Sequence, residues 1–197
     1  MLSSSFPLPA GGPPRLAQLD NDGILDVAVG ASAQFGGYYL LFGDGAGGIA
    51  SRRKAGFQTG QDVQFGDIDG DGDDDAVYLL SNVDCYCIRY ELGAQLNNGS
   101  GGFAPARVYR VGKSPYVAQV EDVDGDGFAD VIAEVQSGTF AVLRGSASGE
   151  LYQQTQHGAL STYPVVLGVA DVDGDGLRDV VLEGEAGELA CYLNLGP

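Results

Sequence analysis

The sequence contains no tryptophan, one methionine, one histidine (His157) and three cysteines. Each scarcity narrows the reading. A single histidine, with no Ser-His-Asp order and no nucleophile elbow, leaves little for acid-base or nucleophilic catalysis. Three cysteines (Cys85, Cys87 and Cys191) cannot form a complete disulfide framework. Cys85 and Cys87 alternate in "DCYCIRY", so on a strand they share a face and read as small packing residues. The absence of tryptophan weakens a sugar-stacking surface without excluding one. Basic residues are also few: 10 Lys and Arg stand against 27 Asp and Glu, a formal net charge of −17. Phosphate binding needs clustered cations, so nucleic acid is excluded as a partner. The one basic cluster, Arg52-Arg53-Lys54, reads as a solvated turn or strand face.

Two further things are missing. No apolar run is long enough to span a membrane. "MLSSSFPLPAGGPP" lacks the basic n-region and apolar core of a signal peptide, which leaves a cytosolic chain or a removed leader open. Nor does any window of ten or more residues carry a convincing 3.6-residue apolar period.

What is present is glycine, 32 residues of 197, beside a hydrophobic fraction of 44%. Helices tolerate glycine poorly, whereas turn-rich β-proteins depend on it. The hydrophobic content suffices for a packed core. The expected class is therefore all-β.

The chain repeats itself. An acidic nonapeptide occurs as "QLDNDGILD" (18–26), "DIDGDGDDD" (67–75), "DVDGDGFAD" (122–130) and "DVDGDGLRD" (171–179). The third positions, Asp20, Asp69, Asp124 and Asp173, are spaced by about fifty residues, a period typical of propeller blades and similar arrays. Each copy lies between two short β-branched runs: "RLAQL" and "DVAVG", "VQFG" and "DAVYLL", "YVAQV" and "DVIAEV", "VVLGVA" and "DVVLEG". A third run follows ("YYLLFG", "CIRYELGAQL", "TFAVLRG", "ELACYLNL"). In the first three units a glycine-rich turn and a fourth run come next ("IASRRKAGFQ", "FAPARVYRV", "LYQQTQH"). The unit is a four-stranded antiparallel meander, and its repetition is the blade pattern of a β-propeller. The four repeats cover approximately 11–59, 60–113, 114–161 and 162–197. The last lacks a fourth strand, and "SSSFPLP" near the start could supply it. Residues 1–10 would then close a four-bladed ring.

The loop has a cation's chemistry. Numbered one to nine, it carries Asp at positions 1, 3, 5 and 9 in the last three copies. Position 6 is always Gly; position 4 is Gly or Asn21. These residues accept a left-handed backbone, so the loop turns sharply and alternate side chains converge. With the position-seven carbonyl they offer the oxygen-rich shell that suits Ca²⁺. The expected ligand sets are Gln18, Asp20, Asp22, Ile24 and Asp26; Asp67, Asp69, Asp71, Asp73 and Asp75; Asp122, Asp124, Asp126, Phe128 and Asp130; and Asp171, Asp173, Asp175, Leu177 and Asp179. Ile24, Asp73, Phe128 and Leu177 contribute carbonyls. The first site is expected to be weakest, because Gln18 brings an oxygen without a charge. Magnesium suits so many protein ligands less well, and transition metals would ask for His or Cys.

Together, "FGDIDGDGDDDAV", "EDVDGDGFADVI", "ADVDGDGLRDVV" and the turn "LNNGSGGF" resemble the FG-GAP/VCBS repeat family, which includes the propellers of integrin α-subunits. The resemblance runs along nearly the whole chain. It implies propeller blades with calcium between the first two strands of each, and an extracellular or secreted setting. Propellers of this family commonly have seven blades. Four units fit a compact ring, a half-ring completed by another chain, or a fragment; the matching terminal pieces favour the ring.

The leading functional expectation is a calcium-stabilised binding or adhesion module, not an enzyme. Its protein or glycan ligand would sit on the face opposite the calcium loops, formed by turns near 30–37, 81–84, 136–138 and 184–187, with Tyr38, Tyr116 and Tyr163 nearby. The alternatives are a polysaccharide lyase or hydrolase using His157, and a ligand-free scaffold. The chain is expected to be a monomer or homo-oligomer.

Overall fold

Alternating apolar residues and glycine turns form the expected strands. The computed structural model describes residues 13–30, 37–57, 63–84, 87–112, 115–135, 139–158, 165–184 and 186–194. Among these there are fifteen strands and no helix. The first sheet comprises β1 (Arg15–Ala17), β2 (Asp26–Gly30), β3 (Tyr38–Gly43) and β4 (Ile49–Ala55). The second comprises β5 (Val63–Gly66), β6 (Asp75–Asp84), β7 (Cys87–Gln95) and β8 (Arg107–Tyr109). The third comprises β9 (Tyr116–Glu121), β10 (Asp130–Val135), β11 (Thr139–Arg144) and β12 (Tyr152–Gly158). The fourth has β13 (Val165–Ala170), β14 (Asp179–Glu183) and β15 (Leu189–Tyr192). Every neighbouring pair is antiparallel, and strands lie in chain order within each sheet.

The period of two sends successive side chains to opposite faces, and both faces of the two middle sheets are buried. Ala76 and Tyr78 pack toward the first sheet, with Leu19, Leu40 and Phe57. Val77 and Leu79, from the same strand, pack toward the third, with Val131 and Leu143. Ile132 and Phe140 then meet Val166, Val180 and Leu182 of the fourth. Four sheets thus enclose three cores. Aromatic edges lock the first: Phe57 lies 5.6 Å from Tyr38 and 4.9 Å from Phe103, ring centre to ring centre. The first strands stand side by side, β1 against β5, β5 against β9 and β9 against β13. Among the described residues no comparable packing joins β13 back to β1.

Two expectations need correction. Residues 81–84 are not a turn. They extend β6, with Ser81 paired to Tyr90 and Asp84 to Cys87. "SNVD" and "CIRY" contain neither Gly nor Pro, so the ladder continues where a turn was expected. The fourth run of the second unit pairs only over Arg107–Tyr109. Pro105, just before it, has no N–H to extend the ladder. The proposed closing strand at 1–10 and Tyr163 lie outside the described residues. Tyr38 is a packing residue: it is buried, and its hydroxyl accepts the Val63 N–H at 2.9 Å. Tyr116 is exposed.

Candidate metal centre

The four acidic loops join the first and second strands of each sheet. Their turns depend on two residues. Positions four and six have φ between +57° and +96° in every loop, Asn21 and Gly72 marking the limits. A left-handed backbone costs an ordinary side chain about 1–2 kcal/mol, which accounts for Gly and Asn there.

Main-chain N–H groups then aim the carboxylates. At position one, Asp122 accepts from Gly125 at 2.8 Å and Gly127 at 2.9 Å. Asp171 accepts from Gly174 and Gly176 in the same way, and Asp67 from Gly70 and Gly72. At position five, Asp22, Asp71, Asp126 and Asp175 each accept the N–H of position seven, at 2.7–3.1 Å. A carboxylate oxygen has two lone pairs, so these bonds fix direction and still leave capacity for a cation.

Position nine does more than its spacing suggests. Asp26, Asp75, Asp130 and Asp179 are buried, and each uses both oxygens. Asp75 accepts the N–H of Ile68 at 2.9 Å and of Asn97 at 2.8 Å. Asp26 holds Leu19 and Gly43, Asp130 holds Val123 and Gly145, and Asp179 holds Val172 and Asn194. This residue pins the start of its loop to the end of the third strand. In the third and fourth loops it also comes close to the other acids, Asp130 to Asp122 and Asp124, and Asp179 to Asp171 and Asp173.

The carboxylates converge in three loops. Oxygens of Asp67, Asp69 and Asp71 lie within 4.8 Å of one another, as do those of Asp122, Asp124 and Asp130, and of Asp171, Asp173 and Asp179. Burial, and then the charge of Asp71, raises the Asp69 pKa. Burial followed by repulsion from Asp71, Asp69 and Asp67 pushes Asp73 up to about 7. Burial takes Asp75 to about 7 and Asp130 to about 6, against the lowering effect of their N–H partners. Buried oxygens of Asp20, Asp69 and Asp73 (Oδ1 in each case) lack a hydrogen-bond partner. A buried acceptor without a donor is costly, and a cation would satisfy it. The donor set is entirely oxygen, which fits Ca²⁺.

The first loop differs. With its amide oriented so that donors meet acceptors, the Gln18 side-chain oxygen takes the Gly23 N–H at 3.0 Å, the part played by a carboxylate elsewhere. The Gln18 amide nitrogen donates to the Ile24 carbonyl at 3.2 Å. That engages the carbonyl expected to serve as a ligand. Asp20, Asp22 and Asp26 form no convergent group of the kind seen in the other loops.

Two features escaped the sequence reading. Arg144 forms an ion pair with Asp124 in the third loop. It ends β11, where the residues before the corresponding Gly43, Asn97 and Asn194 are Phe42, Leu96 and Leu193. A lone cation among apolar counterparts was the available signal. The second feature is a ladder between loops. The position-eight N–H donates to a carbonyl at position one or two of the preceding loop: Asp74 to Gln18 at 2.6 Å, Ala129 to Asp67 at 2.7 Å, and Arg178 to Val123 at 3.2 Å. Gly101 and Ser146 add bonds to Leu19 and Ile68, and the amides of Asn97 and Asn194 donate to Leu19 and Val123.

Residues 122–182 match the FG-GAP-like repeat. The match begins at position one of the third loop and ends in β14, so it takes in the third and fourth loops and the three strands of the third sheet that follow its loop. The resemblance read in the sequence is borne out over these residues. No curated protein compared with the chain matches it.

Proposed function

We propose that this chain is a calcium-binding β-propeller module in which the ions are structural and binding is the task. The second, third and fourth loops each hold one Ca²⁺. Asp67, Asp69 and Asp71 supply the second site, with the buried Asp73 beside them. Asp122, Asp124, Asp126 and Asp130 supply the third, and Asp171, Asp173, Asp175 and Asp179 the fourth, with the carbonyls of Phe128 and Leu177. The first loop binds most weakly or not at all. The carrying observation is the unpartnered Oδ1 of Asp69 and Asp73, buried among like charges in a loop of the repeat type. Three divalent ions would also offset part of the net charge of −17.

Each ion would fix the connection between a blade's first two strands. The opposite surface would then present a protein or glycan ligand from a rigid support. A binding role suits the histidine's surroundings: His157 stacks on Phe140 with ring centres 4.9 Å apart, as part of an aromatic cluster with Tyr192. Extracellular calcium modules work at about 10⁻⁴–10⁻³ M, and an extracellular setting would keep such sites filled. Among the described residues, no helix is long and apolar enough to cross a membrane.

Thermal unfolding tests this reading. Calcium at 100-fold over its Kd adds about 2.7 kcal/mol per site, and EDTA removes it. Magnesium at equal concentration should do much less. A melting temperature indifferent to both calcium and EDTA would overturn the proposal.

A further inference from the structure

The position-nine carboxylates are tied to one another. In each loop the position-two N–H donates to Oδ2 of position nine: Leu19 to Asp26, Ile68 to Asp75, Val123 to Asp130 and Val172 to Asp179, at 2.9–3.2 Å. Oδ1 of the same carboxylate accepts an N–H from the end of the third strand: Gly43, Asn97, Gly145 or Asn194. Two of these four residues carry an amide, and both amides do the same thing. Asn97 Nδ2 donates to the Leu19 carbonyl at 2.9 Å, and Asn194 Nδ2 to the Val123 carbonyl at 2.7 Å. Leu19 and Val123 are the position-two residues of the preceding loops. Gly145 has no side chain, and there the main chain substitutes: the Ser146 N–H donates to the Ile68 carbonyl at 3.1 Å.

The bonds therefore run from loop to loop. From the fourth to the third they pass through Asp179, Asn194, Val123 and Asp130. From the third to the second they pass through Asp130, Gly145 with Ser146, Ile68 and Asp75. Asp130 and Asp179 each belong to a convergent carboxylate group as well. A second link runs beside the first. The Phe128 carbonyl and the Ala129 N–H form one peptide unit, as do the Leu177 carbonyl and the Arg178 N–H. Each carbonyl is the expected ligand of its own loop, while each N–H serves the Asp67 or Val123 carbonyl of the loop before. Hydrogen-bonded groups in series polarise one another, so a cation at the carbonyl strengthens the N–H as a donor.

We propose, resting on the metal reading above, that Asn194 couples the third and fourth calcium sites, so that filling either raises the affinity of the other. The buried, unpartnered Oδ1 of Asp73 calls for a cation in the second loop, and the third and fourth loops repeat its spacing. Each loop has two states, an empty one whose carboxylates repel and a filled one. An ion drawing on Asp179 fixes the carboxylate that holds the Asn194 main chain. The Asn194 amide is then held on Val123, whose N–H meets Asp130 in the third site. Less ordering is left for the third ion to impose, which gives positive cooperativity. Linkage makes the effect equal in both directions. Repulsion between the ions acts the other way, and salt screens it. Asn194 ligates nothing; it is a positioning residue.

The test is calcium titration of the 197-residue chain by nuclear magnetic resonance in about 1 M KCl, where the screening length is about 3 Å. The Gly127 amide reports the third loop and the Gly176 amide the fourth. Asp173→Asn with Asp175→Asn empties the fourth site, and each asparagine keeps an oxygen for the N–H its aspartate accepts. The pair should lower calcium affinity at Gly127 about fivefold, the low end of typical coupling between sites. Asn194→Ala removes the amide, keeps the main-chain bond to Asp179 and leaves every calcium ligand in place. In that background the same pair of substitutions should lower affinity at Gly127 no more than half as much. A merely structural Asn194 would lower the melting temperature and leave this ratio unchanged. An affinity at Gly127 that does not fall when the fourth site is emptied would overturn the proposal, as would a ratio undiminished by Asn194→Ala. Amides of both loops that respond to calcium independently would sink the coupling alone. Amides indifferent to calcium would sink the metal reading, and the coupling with it.

Discussion

Gln18 and Asp74 hold each other from both ends. The Asp74 N–H donates to the Gln18 carbonyl at 2.6 Å, and the Gln18 N–H donates to the Asp74 carboxylate at 2.7 Å. The pair joins the first loop to the second across the boundary between their sheets. Asp74→Ala leaves the first bond intact and strips the acceptor from the second. A hydrogen bond to a charged group contributes about 1.5–3 kcal/mol, so urea unfolding should register a loss in that range. A loss below about 0.5 kcal/mol would mean that the junction does not depend on the pair.

Positions five and nine of the loop should separate in their effects. Asp126 accepts one N–H inside its own exposed turn, whereas Asp130 is buried and holds Val123 and Gly145. Asp130→Asn should therefore cost about 1.5–3 kcal/mol of stability even in EDTA, since the NH₂ that replaces one of its two oxygens cannot accept the bond made there. Asp126→Asn should leave stability in EDTA nearly unchanged and lower calcium affinity. Equal behaviour of the two variants in EDTA would refute the distinction.

Acidity should stabilise the calcium-free chain. Burial and neighbouring carboxylates raise Asp73 to about 7, and burial raises Asp75 to about 7. A folded-state pKa above the unfolded value of 3.8 favours the protonated folded form. That contribution is fully present below the unfolded value and is lost as pH rises through about 7. In EDTA the melting temperature should fall between pH 5 and pH 8. Calcium competes with protons for the same oxygens, so its stabilisation should be larger at pH 8. A calcium-induced shift that is larger at pH 5 would contradict this.

Arg144 should act on the third site through Asp124. Its guanidinium neutralises a carboxylate that the ion would otherwise draw on. Arg144→Ala should raise calcium affinity at that loop several-fold and affect the fourth loop less. Calcium titration followed at the Gly127 and Gly176 amide resonances reads the two sites separately. Weaker binding at Gly127 would show instead that Arg144 builds the site.

Strand placement was readable because a period of two is a local property: "DVIAEV" and "TFAVLRG" declare themselves without partners. The convergence of Asp122, Asp124 and Asp130 was readable for the same reason, since spacing and two left-handed residues fix a short loop. What escaped acts across distance. Asp130 meets Gly145, 15 residues away, and the spacing shows only that an acid is present, not which N–H groups claim it. Arg144 reaches Asp124 from another strand. The β6–β7 hairpin outran its expected turn because 81–84 carries no breaker, so cross-strand pairing decided its length.

The ladder between loops has a consequence for design. Its donors at position eight are main-chain groups, and the side chains on them are Asp74, Ala129 and Arg178. A contact made by the backbone places no demand on the letter that occupies the site. For this bond proline is the one residue excluded at position eight, having no N–H to give; the side chains there have other work, since the Asp74 carboxylate also holds the Gln18 N–H and Ala129 is buried in a core. Ala129→Pro should uncouple the second loop from the third, whereas Ala129→Ser should keep them joined. A label attached near the ion sites belongs at Arg178, whose side chain is exposed while its N–H keeps the bond to Val123.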